Sequence, residues 1–77
     1  MARFTFDGSE LKRRRRAAGL TVAELARLVG RSHASLTHYE SGFTLPPTAA
    51  LLRLSEALQV EPGALFSSEP EKERAMT

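Results

Sequence analysis

The sequence predicts an all-α domain of five short helices, and three observations predict it. Helix start signals (Asp, Thr or Ser followed by a helical stretch) alternate along the chain with glycines suited to ending a helix. Between these signals the apolar residues fall at steps of three and four, the period of one helix face. The chain has 77 residues and no cysteine, so one small apolar core must hold it without a disulfide.

The first helix opens at Asp7-Gly8-Ser9-Glu10. Asp7 is suited to cap a free amide and Glu10 to reach back, as in a capping box, with Phe6 and Leu11 as the hydrophobic staple. Gly19 ends this helix, because glycine accepts the left-handed conformation found there. Thr21-Val22-Ala23-Glu24 repeats the box at the second helix, with Leu20 and Leu25 as its staple and Gly30 as its stop. Ser32 caps the third helix and Gly42 ends it. Phe43-Thr44-Leu45-Pro46-Pro47 is a loop, since two prolines cannot sit inside a helix. The fourth helix runs to about Leu58 with Leu51, Leu54 and Leu58 on one stripe, and the fifth is one or two turns from Pro62 to Phe66. Arg3-Phe4-Thr5-Phe6 alternates like a strand, but four residues are too few to define one. Phe4 and Phe6 are expected to cover the edge of the core. Residues 1–66 are therefore expected to form the domain, and the polar residues 67–77, SSEPEKERAMT, a disordered tail or linker.

Net charge is +2, unevenly spread. Residues 1–45 carry eight Lys/Arg against four acids, and residues 46–77 carry three against five. The basic half has two readings, an anionic partner or a solvated helix face. No apolar run approaches the ~20 residues of a membrane-spanning helix, and the start lacks a signal-peptide core, so the chain reads as soluble and cytoplasmic. Chemistry other than binding finds little support. His33 and His38 are five apart, about 140° around a helix, and so are not placed to chelate one metal. There is no glycine-rich phosphate loop and no carboxylate pair in a plausible pocket, so the expectation is no enzyme, no cofactor and no metal.

Function comes from the second and third helices. Their connection, Val29-Gly30-Arg31, is so short that the pair must cross steeply, which requires a small residue at the contact; Ala26 is suitably placed. Leu25, Val29, Leu36 and Tyr39 then face inward. His33, Ala34, Thr37, His38 and Ser41 fall on the opposite face of the third helix. This is the layout of a DNA-binding helix-turn-helix, whose second helix enters the major groove. Small residues let a backbone approach the groove closely, and Ser, Thr and His can bond base edges or phosphates.

Residues 11–66 resemble the Cro/repressor (Xre-type) helix-turn-helix family through the stretches LKRRRRAAGLT, AELARLVG, SHASLTHYESG, LPPTAALLRLSEALQV and GALF. The joint spacing of Arg15, Gly19, Leu20, Glu24, Leu25, Ala26, Gly30, Ser32, Leu36, Glu40 and Gly42 carries the resemblance. It implies a compact five-helix repressor-like domain, double-stranded DNA as partner, and a homodimer on an inverted repeat. Small relatives include phage repressors, controllers of restriction-modification operons and antitoxins. The resemblance further implies an ion pair between Arg15 and Glu40, base reading by His33, Ala34, Thr37 and His38, and phosphate contacts from Thr21, Ser32, Ser35, Ser41 and Thr44.

Two departures from the family pattern stand out. Val22 occupies the position where the family usually has a phosphate-bonding Gln, and Phe43-Thr44-Leu45 replaces a loop that often carries Lys or Arg. Arg13, Arg16, Arg27 and Arg31 are candidates to restore the lost phosphate attraction. Phe43 and Leu45 either pack on the fourth helix or meet a partner. The leading reading is thus a sequence-specific DNA-binding transcriptional regulator that reads the major groove with the helix near residues 33–40. The alternative is a protein-interaction module or antitoxin of the same fold with weak or no DNA binding, engaging its partner through Phe43 and Leu45. For a dimer contact the candidates are Ala64, Leu65 and Phe66 with exposed parts of the fourth helix; the other reading of these residues is intramolecular core.

Overall fold

The computed structural model describes residues 2–70. In chain order the elements are β1 (Ala2–Phe6), α1 (Gly8–Ala17), α2 (Val22–Val29), α3 (His33–Ser41), α4 (Thr48–Leu58), a 3-10 turn (Pro62–Leu65) and β2 (Phe66–Pro70). The helices enclose one core in which Leu11, Leu25, Leu36, Leu54 and Leu65 are fully buried, with Val29, Ala26, Tyr39 and Ala50 around them. Among the described residues no helix is long and apolar enough to cross a membrane.

The architecture is helical but not all-α, and the expected five helices are four plus a 3-10 turn. Pro-Gly-Ala-Leu is only four residues long, enough for one tight turn and too short to propagate an α-helix. β1 and β2 pair antiparallel, from Phe6 opposite Phe66 to Ala2 opposite Pro70. The expected tail therefore begins too early. Residues 67–70 lie in β2, whereas 71–77, where the rest of that expectation falls, are outside the described residues. The strand was not legible locally because its hydrogen-bond partners lie at the far end of the chain, and polar residues suffice where the pairing is through backbone. The sheet is anchored at its inner end, where the Phe6 and Phe66 rings meet edge to face with centroids 6.0 Å apart. Phe6 covers the core as expected, while Phe4 is 71% exposed. Leu65 belongs to the core and so is removed from the candidate dimer contacts, since a fully buried side chain has no surface to offer a second copy.

Helix entry follows the expected caps with one exception. Thr21 and Glu24 form the reciprocal box: the Glu24 amide donates to Thr21 Oγ1 at 3.0 Å and the Thr21 amide to Glu24 Oε1 at 2.8 Å. At α1 the Asp7 carboxylate accepts from the Ser9 and Glu10 amides, both at 3.1 Å, but Glu10 does not reach back. The Asp7 amide it would accept from is already bonded to the Leu65 carbonyl at 2.8 Å. Glu10 instead accepts from Arg13 Nε at 3.0 Å and Arg14 Nε at 2.8 Å. Hydrogen bonds from these two guanidiniums pull its pKa down to about 2.

Two contacts fix α3 against α1. The first is a close approach. A Cβ added at Gly8 would lie 2.6 Å from the Glu40 carbonyl oxygen and closer still to that of Tyr39. The amide end of α1 thus abuts the carbonyl end of α3, opposite ends of two helix dipoles. The second is the Arg15–Glu40 ion pair. Nε donates to Oε2 at 2.6 Å and Nη2 to Oε1 at 3.1 Å, while Nη1 donates to the Leu20 carbonyl at 2.8 Å. Both side chains are only 8% exposed. The hydrogen bonds to Glu40 hold the Arg15 guanidinium above the usual arginine range.

Each contact yields an expected outcome. Gly8→Ala should destabilise the domain by about 1–3 kcal/mol, because the methyl group meets backbone that cannot rotate away. Alanine's higher helix propensity, worth about 1 kcal/mol, acts in the opposite sense, so a urea melt showing a gain would mean that the helices separate freely at this point. Arg15→Ala should cost roughly 3 kcal/mol, because Glu40 is left buried and unpaired. Denaturant melts of Arg15→Ala, Glu40→Ala and the double variant measure the coupling; strictly additive losses would show that the pair contributes nothing.

Candidate nucleic-acid interface

The interface is assembled from the turn outward. Gly30 adopts φ 69°, which reverses the chain after α2 and lets the Arg31 amide bond back to the Ala26 carbonyl at 2.9 Å. Ser32 then starts α3, its Oγ accepting from the Ser35 amide at 3.1 Å. Ala26, 3% exposed, belongs to the same buried cluster as Leu25, Val29, Leu36 and Tyr39. Leu36 and Tyr39 therefore set the rotation of α3. His33, Ala34, Thr37, His38 and Ser41 are left exposed on its outer face.

The flanks of α3 separate the remaining candidates. A groove of about 300 Å³ runs along one side, lined by Lys12, Arg15, Arg16, Val22, Thr37, Glu40 and Ser41. It brings Arg16 of α1, Val22 of α2 and Thr37 and Ser41 of α3 onto one surface. Thr21, Ser32 and Thr44 are exposed, and Arg31 and Ser35 are half-buried at the turn and the first turn of α3. Several of these hydroxyls already hold local bonds. Ser32 Oγ donates to Ser35 Oγ at 3.1 Å, and Ser41 Oγ donates to the His38 carbonyl at 3.1 Å. Arg13 is exposed but bound to Glu10, so its charge is largely offset, and the hydrogen bond raises its own pKa further. That pairing was readable from the i, i+3 and i, i+4 spacing of Glu10 to Arg13 and Arg14.

Val22 is half-buried and packs against the core, so it is part of the groove wall rather than a free surface residue. Phe43 and Leu45 do not pack away on α4; they are 75% and 70% exposed. One contact was missed in the sequence. The Phe43 ring lies against the His38 imidazole, with centroids 4.8 Å apart and the rings tilted by 53°. Its signal was present in the apolar residue directly after the helix-ending Gly42, a position that commonly folds back on the last helical turn. Among the described residues no group of His, Asp and Glu is placed to hold a metal ion.

With this geometry, comparison with known proteins is direct. A family model described as a helix-turn-helix domain matches residues 8–67. Among curated proteins nothing matches the sequence. Among solved structures, the P22 c2 repressor protein in complex with synthetic operator 9T is 33% identical with a TM-score of 0.75, over 79% of this chain and 92% of that one. The restriction-modification controller protein C.AhdI from Aeromonas hydrophila is 34% identical with a TM-score of 0.73, over 77% of this chain and 89% of that one. SinR, a master regulator for biofilm formation solved in complex with DNA, is 27% identical with a TM-score of 0.71, over 75% and 94%. The buried Ala26, the capped turn, the small polar outer face of α3 and these matches agree: the chain belongs to the helix-turn-helix domain family, in its Cro/repressor-like form.

Proposed function

We propose that this protein is a transcriptional regulator that binds double-stranded DNA sequence-specifically, with α3 in the major groove. The observation that carries this reading is the outer face of α3. His33, Ala34, Thr37 and His38 are exposed together on a helix whose inner face is locked by Leu36 and Tyr39. The P22 c2 repressor and SinR, solved with operator and DNA respectively, support it through their shared fold. In this reading those four side chains meet base edges, which carry sequence, while neighbouring groups meet phosphates, which carry position. Thr21, Ser32, Ser35, Ser41 and Thr44 are the hydroxyls on the flanks, and Arg16 and Arg31 are the cations best placed beside α3. Arg13 is a weaker contributor because Glu10 competes for it.

One α3 fills one major groove and leaves few phosphate contacts, so we propose that a homodimer is the binding species. Two copies of α3 about 34 Å apart would reach successive grooves on one face of the duplex. The proposed activity is binding alone, and the proposed location is the cytoplasm. A second reading, an interaction module of the same fold, is favoured by the exposure of Phe43 and Leu45. An electrophoretic shift with duplex from upstream of the protein's own gene separates the two. A retarded band that weakens steeply as salt rises supports regulation, since counterion release dominates phosphate binding. No retardation of any duplex at low salt overturns it in favour of the interaction module.

Two expected outcomes follow for binding. His38→Ala should weaken the preferred duplex more than random DNA, whereas Arg31→Ala should weaken both alike and reduce the salt slope by about 1. Filter binding over a salt series measures both; equal loss on the two duplexes for His38→Ala would remove it from the reading face. Val22→Gln should tighten binding to any duplex by about 1 kcal/mol, the net value of one added hydrogen bond at a helix start whose amides favour an anion. Because Val22 is half-buried against the core, the same change should lower stability by about 1 kcal/mol. Unchanged or weaker binding by the folded variant would show that this end of α2 does not meet the backbone.

A further inference from the structure

The end of α3 is built so that the loop returns onto the recognition face. Gly42 adopts φ 82°, a left-handed conformation that side chains with a Cβ rarely take. The reversal lets the Gly42 amide bond the Tyr39 carbonyl at 3.3 Å and the Phe43 amide bond the His38 carbonyl at 3.0 Å. This pair of bonds is a Schellman motif, in which the residue after the glycine packs on the residue five positions earlier. Here those residues are Phe43 and His38, and their rings are in contact at 4.8 Å. A second tether holds the same amide, since Phe43 N–H also reaches Ser41 Oγ at 3.3 Å. The backbone of Phe43 is thus fixed relative to His38 by local bonds that do not depend on the rest of the core.

The consequence for His38 is restriction. An exposed histidine on a helix samples several staggered rotamers in water. A ring fixed against one side of the imidazole removes those that would overlap it, and apolar contact favours the one that stacks. Phe43 itself is 75% exposed, so it contributes little to the core and its contact with His38 is the main intramolecular use of its ring. We infer that Phe43 is a positioning residue for base reading: it holds the His38 imidazole in one orientation on the outer face of α3, and so sharpens sequence discrimination without itself reading a base. This rests on the DNA-reading function proposed above.

Two measurements test this, one of which needs no DNA. In the free protein the His38 ring protons should show a ring-current shift in NMR spectra that disappears in Phe43→Leu and persists in Phe43→Tyr. Unchanged His38 resonances in Phe43→Leu would overturn the inference. For the second, a duplex is selected by wild-type protein from a randomised library. Phe43→Leu should lower the ratio of its affinity for that duplex to its affinity for random DNA by roughly two- to tenfold, the range expected for freeing one rotamer, and Phe43→Tyr should restore it. In a His38→Ala background, Phe43→Leu should change the ratio no further. An equal loss in that background would show that Phe43 touches the DNA directly and would overturn the positioning role. A library that yields no enriched duplex would defeat the DNA-reading function itself and the consequence drawn for discrimination, while the ring-current shift independently decides whether Phe43 holds His38. Circular dichroism of each variant separates these outcomes from unfolding, because the affected loop lies outside the core.

Discussion

The placement of the outer face of α3 depends on one buried guanidinium. Arg15 spends three donors at once, two on Glu40 and one on the Leu20 carbonyl. These tie the last turn of α1 to the end of α3 and to the connection into α2. An ion pair taken out of water returns little net stability, because desolvation of both charges opposes their attraction. Its value here is geometric. A planar fork accepts a carboxylate bidentately in few arrangements, here through Nε and Nη2, so it specifies the position of α3 along and around α1 more sharply than apolar contact does. The abutment at Gly8, where α1 meets the last carbonyls of α3, closes the same joint from the other end.

This joint reorganises what the basic run Arg13-Arg14-Arg15-Arg16 can do. Arg15 is buried and serves structure, Arg13 and Arg14 share Glu10, and Arg16 lines the groove beside Thr37 and Ser41. Four consecutive arginines point around a helix at steps of about 100°, so they cannot form one patch. The long-range potential of the N-terminal half still favours an anionic duplex, and the α1 cations left beside α3 for the proposed contact are Lys12 and Arg16. In the proposed function, such a surface leaves more of the discrimination to the small polar face of α3.

The ends of α2 and α3 repeat one device with different results. Each closes with a left-handed glycine and a backbone bond from the following residue. After Gly30 the returning residue is Arg31, half-buried in the turn that sets the crossing angle. After Gly42 it is Phe43, which lands on His38 instead of in the core. The same local geometry therefore shapes the scaffold in one place and the reading surface in the other.

By itself the sequence determined the helices and their inward faces, because their signals act within one turn. Thr21 with Glu24, Ser32 with Ser35, the glycines at 30 and 42, and the three-and-four spacing of Leu25, Val29, Leu36 and Tyr39 all operate over five residues or fewer in each helix. The family resemblance added Glu40 as the partner of Arg15 and the identity of the helix proposed to read bases, while the bond from Arg15 to the Leu20 carbonyl came only with the structure. Tertiary structure decided the rest. Whether Phe4-Thr5-Phe6 forms a strand depended on Phe66–Ser68 returning from the opposite end of the chain. Whether Glu10 closes a capping box depended on the Leu65 carbonyl reaching the Asp7 amide first. Leu65 was a candidate for a partner as well as for the core, and packing of its turn against α1 and α4 buried it. In each case the competing group is distant in sequence, and a hydrogen-bond donor or an apolar surface goes to whichever partner folding brings to it.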